Sequence, residues 1–228
     1  MKAWIAATML TLAAGSASAA TVFAPTDTVI GGERQGTDFV VGSAGFGTNQ
    51  WPGNEGPERA IDGVGQKYLN FGKEDSGFIV AGDEAFVVTS AQFWTANDAV
   101  ERDPGSYEVW GSSSTSFAGG SIAMSEFTLI SSGLLALPGS RNPGGTAALN
   151  DANSQTVGFA NADAYISYLI LFPTLKNSGA ANSVQIGEVQ LYGDVVGAVP
   201  LPAALPLLLA GLAGMLAGMG ALGRRRTI

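Results

Sequence analysis

YISYLILF, residues Tyr165–Phe172, is the stretch that most clearly indicates the fold, because apolar side chains fill both of its faces. A strand of this composition is typical of one that is buried on both sides within a sandwich. The segment Gly187–Tyr192 alternates more cleanly, with its two aliphatic side chains predicted inward and Glu188 and Gln190 predicted outward. Both segments have a period of two residues, which predicts β-structure.

Several shorter segments extend this pattern along the chain. The further predicted strands are Asp38–Val41, Phe86–Trp94, Tyr107–Trp110 and Glu126–Ser131. Stretches rich in Gly, Ser and Pro lie between them, at 111–120 and 138–145, and are typical of turns. Outside the two ends of the chain, no segment has the pattern of a helix longer than two turns. The sequence therefore predicts an all-β protein, a jelly-roll β-sandwich.

The composition excludes several classes of function. The 228 residues include no histidine and no cysteine, so disulfides, thiolate chemistry and Cys/His zinc sites are excluded. The formal charge of −8 disfavours a nucleic-acid partner, whose phosphates need Lys and Arg. Paired carboxylates can hydrolyse glycosides without histidine, but no pair stands out among the 19 acidic residues. We therefore expect a protein that is not an enzyme.

The first 19 residues have the features of a secretory signal peptide. Met1-Lys2 supplies a positive charge, a short apolar run follows, and Ala17-Ser18-Ala19 is a small-residue site for signal peptidase. Cleavage is predicted after Ala19. The apolar run is too short to span a bilayer, which takes about 20 residues. The alternative to a signal peptide is a buried N-terminal helix.

The last part of the chain is predicted to cross a membrane. Residues 201–223 carry no charge and are followed at once by Arg224, Arg225 and Arg226. This length suits a transmembrane helix, and the positive cluster is expected to remain on the cytoplasmic side. Residues 20 to about 200 would then lie outside the cytoplasmic membrane.

The residues before this helix resemble a known sorting signal. They are Val199, Pro200, Leu201, Pro202 and Ala203. With the apolar span and the arginine cluster, residues 196–228 resemble the VPLPA-type variant of the PEP-CTERM signal. The resemblance implies a membrane-anchored precursor whose tail is removed by an exosortase-type protease, after which the protein reaches the cell surface or the extracellular matrix. A permanent single-pass anchor, and hence a surface receptor, is the alternative.

Ordered motifs in the middle of the chain resemble a second family. They are Glu55–Gly63, Lys67–Val80, Thr95–Asp98, Arg102–Ser112, Phe127–Gly133 and Ser183–Gly193. Together they are similar to a discoidin-like domain of the coagulation factor 5/8 C-terminal type, over a core of about 54–193. The resemblance implies a galactose-binding-like fold, placed within a domain of residues 20–195, and a role as a binding module.

The same resemblance implies a calcium site. Its ligands would be the Ala60 carbonyl and the carboxylates of Asp62 and Glu188, a mixture of oxygens that suits Ca²⁺. This sequence departs from the common form in the loop Gly63–Gln66, which reaches Lys67 without a threonine. The alternative is that Asp62 caps a turn and Glu188 is a solvated strand residue.

Ligand recognition in this fold is expected at loops on one end of the sandwich. Trp51, in a Pro/Gly-rich stretch, offers a flat aromatic face for a sugar ring, and Asn97, Asp98 and Arg102 offer hydrogen bonds. Two alternatives remain open. Trp51 can instead cover the core, and Arg102 can form a structural ion pair with Asp103.

Two functions follow as hypotheses. The first is an exported, surface-sorted and non-catalytic module that binds glycan in the cell envelope or exopolysaccharide matrix. The second is a structural or adhesive matrix protein without a specific pocket. The basic residues Lys2 and Arg224–Arg226 lie in the removable ends and all 19 acids lie between them, so the mature domain is more acidic than the whole chain. Such a domain is expected to attract divalent cations.

Overall fold

Short strands make up the part of the chain that the structure describes. The computed structural model describes residues 19–196. The strands are β1 Ala20–Thr21, β2 Thr28–Gln35, β3 Asp38–Val41, β4 Ser43–Ala44, β5 Gln50–Trp51, β6 Tyr68–Asn70, β7 Ser76–Trp94, β8 Ser106–Ser112, β9 Ser121–Ala123, β10 Thr128–Leu134, β11 Ser154–Gly158, β12 Tyr165–Phe172, β13 Val184–Ile186 and β14 Glu188–Val195. The helices within 19–196 are short 3₁₀ turns at Pro57–Ala60, Val100–Arg102, Met124–Glu126 and Asp151–Asn153.

The long strand β7 belongs to two groups of strands. Its first part, from Ser76 to Ala81, lies between β12 and β2, within the order β10-β8-β12-β7-β2-β3-β9. Its second part, from Phe86 to Trp94, pairs with β11 on one side and β14 on the other. The predicted all-β class is therefore confirmed, with a sandwich-like arrangement in which β7 is shared.

The main core contains alternate residues of both groups of strands. They are Phe78, Val80, Val88, Phe93, Tyr107, Val109, Tyr168, Ile170, Phe172, Val189 and Leu191. Burial of this apolar surface, at about 25 cal/mol per Å², is the main favourable term in folding. The inward orientation predicted for the aliphatic residues of β14 is confirmed, because both are fully buried.

A second core lies on the other face of β12. Leu169 and Leu171 pack there with Phe39, Ile79, Ile122 and Phe127. The cover comes from the segment 113–127, in which Phe117 and Phe127 stack at 5.2 Å. This second core explains why the YISYLILF stretch is apolar on both faces, as the sequence predicts.

The predicted strands correspond to β3, β8, β10, β12, β14 and the second part of β7. The prediction for residues 126–131 starts too early, because Met124–Glu126 forms a 3₁₀ turn before β10 begins. Strand β2 was not predicted; it pairs with the first part of β7 and therefore extends the sheet to residues before Asn54.

The predicted leader and tail fall largely outside the described residues. Ala19 is the first described residue and is exposed. Residues 1–18 and 197–228, which include Val199, Pro200, Leu201, Pro202, Ala203, the transmembrane segment and the arginine cluster, lie outside 19–196. Within 19–196, no helix has both the length and the apolar character needed to cross a membrane.

Candidate functional site

A cleft lies among loops at the end of the sandwich where β7 finishes. It has a volume of about 200 Å³ and is lined by Asn54, Glu55, Gly65, Gln66, Lys67, Asn97 and Gly145. Three separate loops supply these residues. One leads into β6, which begins directly after Lys67, another follows β7, which ends shortly before Asn97, and the third carries Gly145. None of the described residues that line the cleft is aromatic.

Lys67 is the central charged group of this cleft. Its side chain is 9% exposed, and its Nζ donates to Asp98 Oδ2 at 2.7 Å and lies 3.7 Å from Glu55 Oε1. A buried ammonium is stable only when it is paired in this way. Asn97 is exposed beside it and offers both a donor and an acceptor. The arrangement can therefore hydrogen-bond a polar ligand from several sides.

The loop that carries Asn97 and Asp98 is held in one conformation. Gln185 Nε2 donates to the carbonyls of Asp98 and Ala99, both at 2.9 Å. Ala99 has a positive φ of 22°, a conformation that an alanine rarely adopts without such support. On the adjacent side, Asn142 Nδ2 donates to the Thr95 carbonyl at 3.0 Å. These contacts preorganise the rim of the cleft.

The predicted site residues are only partly brought together. Asn97 lines the cleft, and the Asp98 carboxylate accepts a hydrogen bond from Lys67. Arg102 does not line the cleft, and it makes no ion pair with the described residues. Glu55, Gln66 and Lys67 also line the cleft and were not predicted, because the contact of Lys67 with Asp98 joins loops that are distant in sequence.

The predicted ion pair between Arg102 and Asp103 is wrong. The fully buried Asp103 carboxylate instead accepts two hydrogen bonds from Arg141, at 2.7 and 2.8 Å, and Lys176 Nζ lies 3.8 Å from it. Burial raises the pKa of the Asp103 carboxyl, although Arg141 and Lys176 act in the opposite direction. Arg141 also donates to the Pro138 carbonyl at 2.6 Å. The Arg141–Asp103 ion pair therefore fastens the 138–145 turn to the 95–105 loop.

Trp51, which was predicted as a ligand contact, is only partly exposed and does not line this cleft. Its ring is partly buried against the main core and meets Tyr68 edge-on at 5.9 Å. Gly42, which has no side chain, leaves room for the ring, because a Cβ at this position would lie 2.6 Å from it. The alternative in which Trp51 covers the core therefore describes its position.

Asp62, which belongs to the loop 61–64, lies close to Glu188 at the start of β14. Glu188 Oε2 accepts from the Gly63 amide at 3.1 Å, and Asp62 Oδ1 accepts from the Val64 amide at 3.1 Å. The outward orientation predicted for Glu188 is wrong, because it is only 3% exposed. Burial, together with the nearby Asp62 charge, raises the pKa of Glu188 to about 8. Ala60 is fully buried at the end of the preceding 3₁₀ turn.

These residues fit a hard cation such as calcium. The buried Asp62 Oδ2 has no hydrogen-bond partner among the described residues, and the Arg59 guanidinium lies 3.6 Å from it. Burial also raises the pKa of Asp62, although the Val64 amide and the Arg59 guanidinium act in the opposite direction. Within 19–196 no cluster of three or more acidic side chains surrounds this point, so the remaining ligands would be carbonyl or water oxygens.

No protein-family model matches the sequence, and no curated protein matches it. Solved structures do match. The F5/8 type C domain of a Bacteroides fragilis protein superposes with a TM-score of 0.50 at 11% identity, over 78% of this chain and 97% of that one. The chain has the fold of an F5/8 type C domain.

Two carbohydrate-binding modules of Clostridium perfringens are also similar. The family 32 module of NanJ, solved in complex with galactose, has a TM-score of 0.46 at 15% identity and covers 75% of this chain and 97% of its own. The fifth family 32 module of a family 89 glycoside hydrolase, in complex with GalNAc-β-1,3-galactose, has a TM-score of 0.47 at 11% identity, over 76% and 100%. At these identities the likeness concerns the fold.

Proposed function

We propose that residues 20–195 form a non-catalytic module that binds glycan through the cleft around Lys67. The observation that carries this proposal is the buried Lys67 ammonium, held between two carboxylates next to the exposed amide of Asn97. Such a group of fixed donors and acceptors matches the hydroxyl groups of a sugar. The discoidin-like fold, which also occurs in modules solved with galactose and GalNAc, is consistent with this use.

A glycan array followed by calorimetry tests the cleft. Asn97→Ala is expected to weaken binding about tenfold, which corresponds to about 1.4 kcal/mol, because it removes two hydrogen-bonding groups from the rim. Asn182→Ala is the matched control, since Asn182 is exposed and does not line the cleft. Equal losses in both variants, or no binding to any glycan by the parent protein, would contradict the proposal.

We also propose that the Ala60 carbonyl and the carboxylates of Asp62 and Glu188 hold a structural Ca²⁺. When bound, the ion would add positive charge between these two carboxylates, and it would fasten the 61–64 loop to the start of β14. Calcium is expected to raise the melting temperature of the parent protein but not that of Glu188→Gln. Asp194→Asn, an exposed acid of the same strand, should behave like the parent. A calcium response that survives Glu188→Gln would disprove the assignment.

Export and surface sorting complete the proposal. Signal peptidase would act after Ala19, and an exosortase-type protease would remove the tail near Val199–Ala203, so that a membrane-anchored precursor becomes a cell-surface or matrix protein. The support is the sequence pattern at the two ends. Mass spectrometry of the mature protein is the test. A mature C-terminus that still contains Arg224–Arg226 would indicate a permanent anchor instead.

A matrix role without a specific pocket is the alternative function. Two exposed apolar side chains favour it: Phe46 and Leu134 are each 82% exposed, and Leu134 lies on the edge strand β10. Such groups can form weak contacts with many partners. If this role is correct, Leu134→Lys with Phe46→Ser will abolish adhesion or self-association, whereas Asn97→Ala will leave both unchanged.

A further inference from the structure

A row of apolar side chains crosses the outer face of the sheet in register. Trp110 on β8 lies opposite Leu129 on one side and Leu169 on the other. Leu169 lies opposite Ile79, which lies opposite Ile30. Directly opposed residues of neighbouring antiparallel strands point to the same face. The outer face is therefore apolar across five strands.

The second core covers only part of this row. Phe127 and Ile122 pack on Leu169 in the middle of the sheet, where Leu169 is fully buried. Towards the edge the cover ends, so that Trp110 is partly exposed and Leu129 is 45% exposed. The aromatic ring therefore lies where the cover stops, between a closed core and solvent.

A cavity of about 510 Å³ opens beside Trp110. It is lined by Arg34, Thr37, Asp38, Ala123, Met124 and Ser125, together with the tryptophan. This volume lies within the range of small-molecule sites, roughly 300–1,000 Å³. The lining combines the apolar surface of Trp110 and Met124 with hydroxyl, carboxylate and guanidinium groups.

Trp110 is held in place before any ligand arrives. Its Nε1 donates to Glu108 Oε2 at 2.9 Å, and Arg34 Nη1 donates to the same oxygen at 2.7 Å. Arg34 also forms an ion pair with Asp75. Because the ring and the guanidinium share one carboxylate oxygen, little side-chain entropy is lost when a ligand stacks on the ring.

We propose that this cavity is a second carbohydrate site, in which a pyranose ring stacks on Trp110. The C–H face of a pyranose is apolar and suits an indole, while its hydroxyls match the hydroxyls of Thr37 and Ser125 and the carboxylate of Asp38. A wholly apolar occupant would remove these groups from water and leave them only the hydrogen bonds that Asp38 accepts from Ser121 and Thr37. The chemistry of the cavity therefore favours a sugar over a lipid or a hydrophobic peptide.

This site is separate from the cleft around Lys67. The described residues that line that cleft include no aromatic side chain, whereas this cavity has one held in a fixed position. The inference extends the proposed glycan binding to a different surface, and either site can exist without the other. Variants of Asn97 and Trp110 therefore distinguish the failure of one from the failure of the other.

The test is calorimetry of the purified protein with galactose, N-acetylgalactosamine and cellobiose, together with tryptophan fluorescence. Trp110→Ala removes the stacking surface, and Trp110→Phe retains an aromatic ring. Ser125→Arg fills the cavity without changing the tryptophan. Thr89→Arg is the matched control, because it adds the same charge at an exposed position on the second part of β7.

At least one of the three sugars is expected to bind and to change the tryptophan fluorescence. Trp110→Ala and Ser125→Arg should each weaken that binding about tenfold, while Trp110→Phe and Thr89→Arg should stay within about threefold of the parent. If Trp110→Ala does not fold, Ser125→Arg decides the result. The proposal is overturned if none of the three sugars binds, or if Ser125→Arg binds as the parent does. It is also overturned if Asn97→Ala alone weakens binding, in which case the Lys67 cleft remains supported.

Discussion

At the scale of single residues, Glu188 connects burial to pH. In the folded, metal-free protein its pKa is raised to about 8 from an ordinary value of 4.5, with burial as the main cause. The folded state therefore binds a proton more tightly than the unfolded state. The stabilisation is complete below pH 4.5 and is lost as the pH rises to about 8.

The direction of this pKa shift gives a direct prediction for the pH dependence of stability. In the presence of a chelator, the free energy of unfolding contributed by Glu188 should fall between about pH 5 and pH 8, by an amount on the order of a few kcal/mol. Glu188→Gln should reduce that fall, because the amide is neutral at every pH. Urea denaturation across the pH range measures it, with Asp194→Asn as control. An unchanged pH profile in Glu188→Gln would show that the carboxyl is not the titrating group.

Arg141 and Arg102 offer a second comparison between single residues. Arg141→Ala leaves the buried Asp103 carboxylate without its two strongest hydrogen bonds, a loss that typically costs about 3–5 kcal/mol. Arg102→Ala removes a side chain that is not paired with any described residue, and should change stability by less than about 0.5 kcal/mol. Denaturant midpoints of the two variants measure the two losses of stability. Similar losses in both would mean that Asp103 relies on Arg102 after all.

At the scale of elements, β2 depends on glycine for close packing. A Cβ on Gly32 would lie 2.3 Å from the Val40 carbonyl oxygen of the neighbouring strand, whereas one on Gly53 would meet nothing within 4 Å. Gly32→Ala should therefore destabilise the protein by about 1–3 kcal/mol or more, because backbone has to move. Gly53→Ala should have little effect. Thermal unfolding measures both, and a neutral Gly32→Ala would mean that β2 and β3 can separate without cost.

The same elements show what could be predicted from the sequence. β12 was predicted with its correct bounds, because an apolar run of eight residues needs partners on both faces. β2 was missed because the central Gly31 and Gly32 and the charged residues after them obscure the alternation. Glycine is selected there by the approach of the next strand, which is a tertiary contact and leaves no local pattern.

The residues of the candidate sites also differ in whether the sequence could indicate them. Asn97, predicted as a ligand contact, does line a cleft and Asp98 pairs with Lys67 beside it, since both follow a strand end in a predicted loop; ligand binding by these two residues stays a prediction. Lys67 and Arg141 find their partners only once distant loops meet, so spacing could not indicate them. Trp110 was predicted only as part of a strand. Its partial exposure depends on where the 113–127 segment stops covering the sheet.

At the scale of the whole molecule, the two proposed glycan surfaces belong to one acidic domain. All 19 acidic residues lie between the predicted leader and tail, and none lies in those ends. A domain of this charge should stay away from polyanionic chains and bind neutral sugars without dependence on salt. Binding to a neutral glycan should therefore change little between about 50 mM and 200 mM salt.

Glycan binding without catalysis is proposed at two surfaces, the cleft around Lys67 and the cavity beside Trp110. Backbone-amide NMR during titration with N-acetylgalactosamine, galactose or cellobiose tests it most directly, because the shifts locate each bound sugar. We expect saturable shifts for residues 65–67 and 97 at one surface and for residues 110 and 123–125 at the other, with the sugar unchanged afterwards. Shifts confined to other parts of the domain, or a sugar that is hydrolysed, would contradict it.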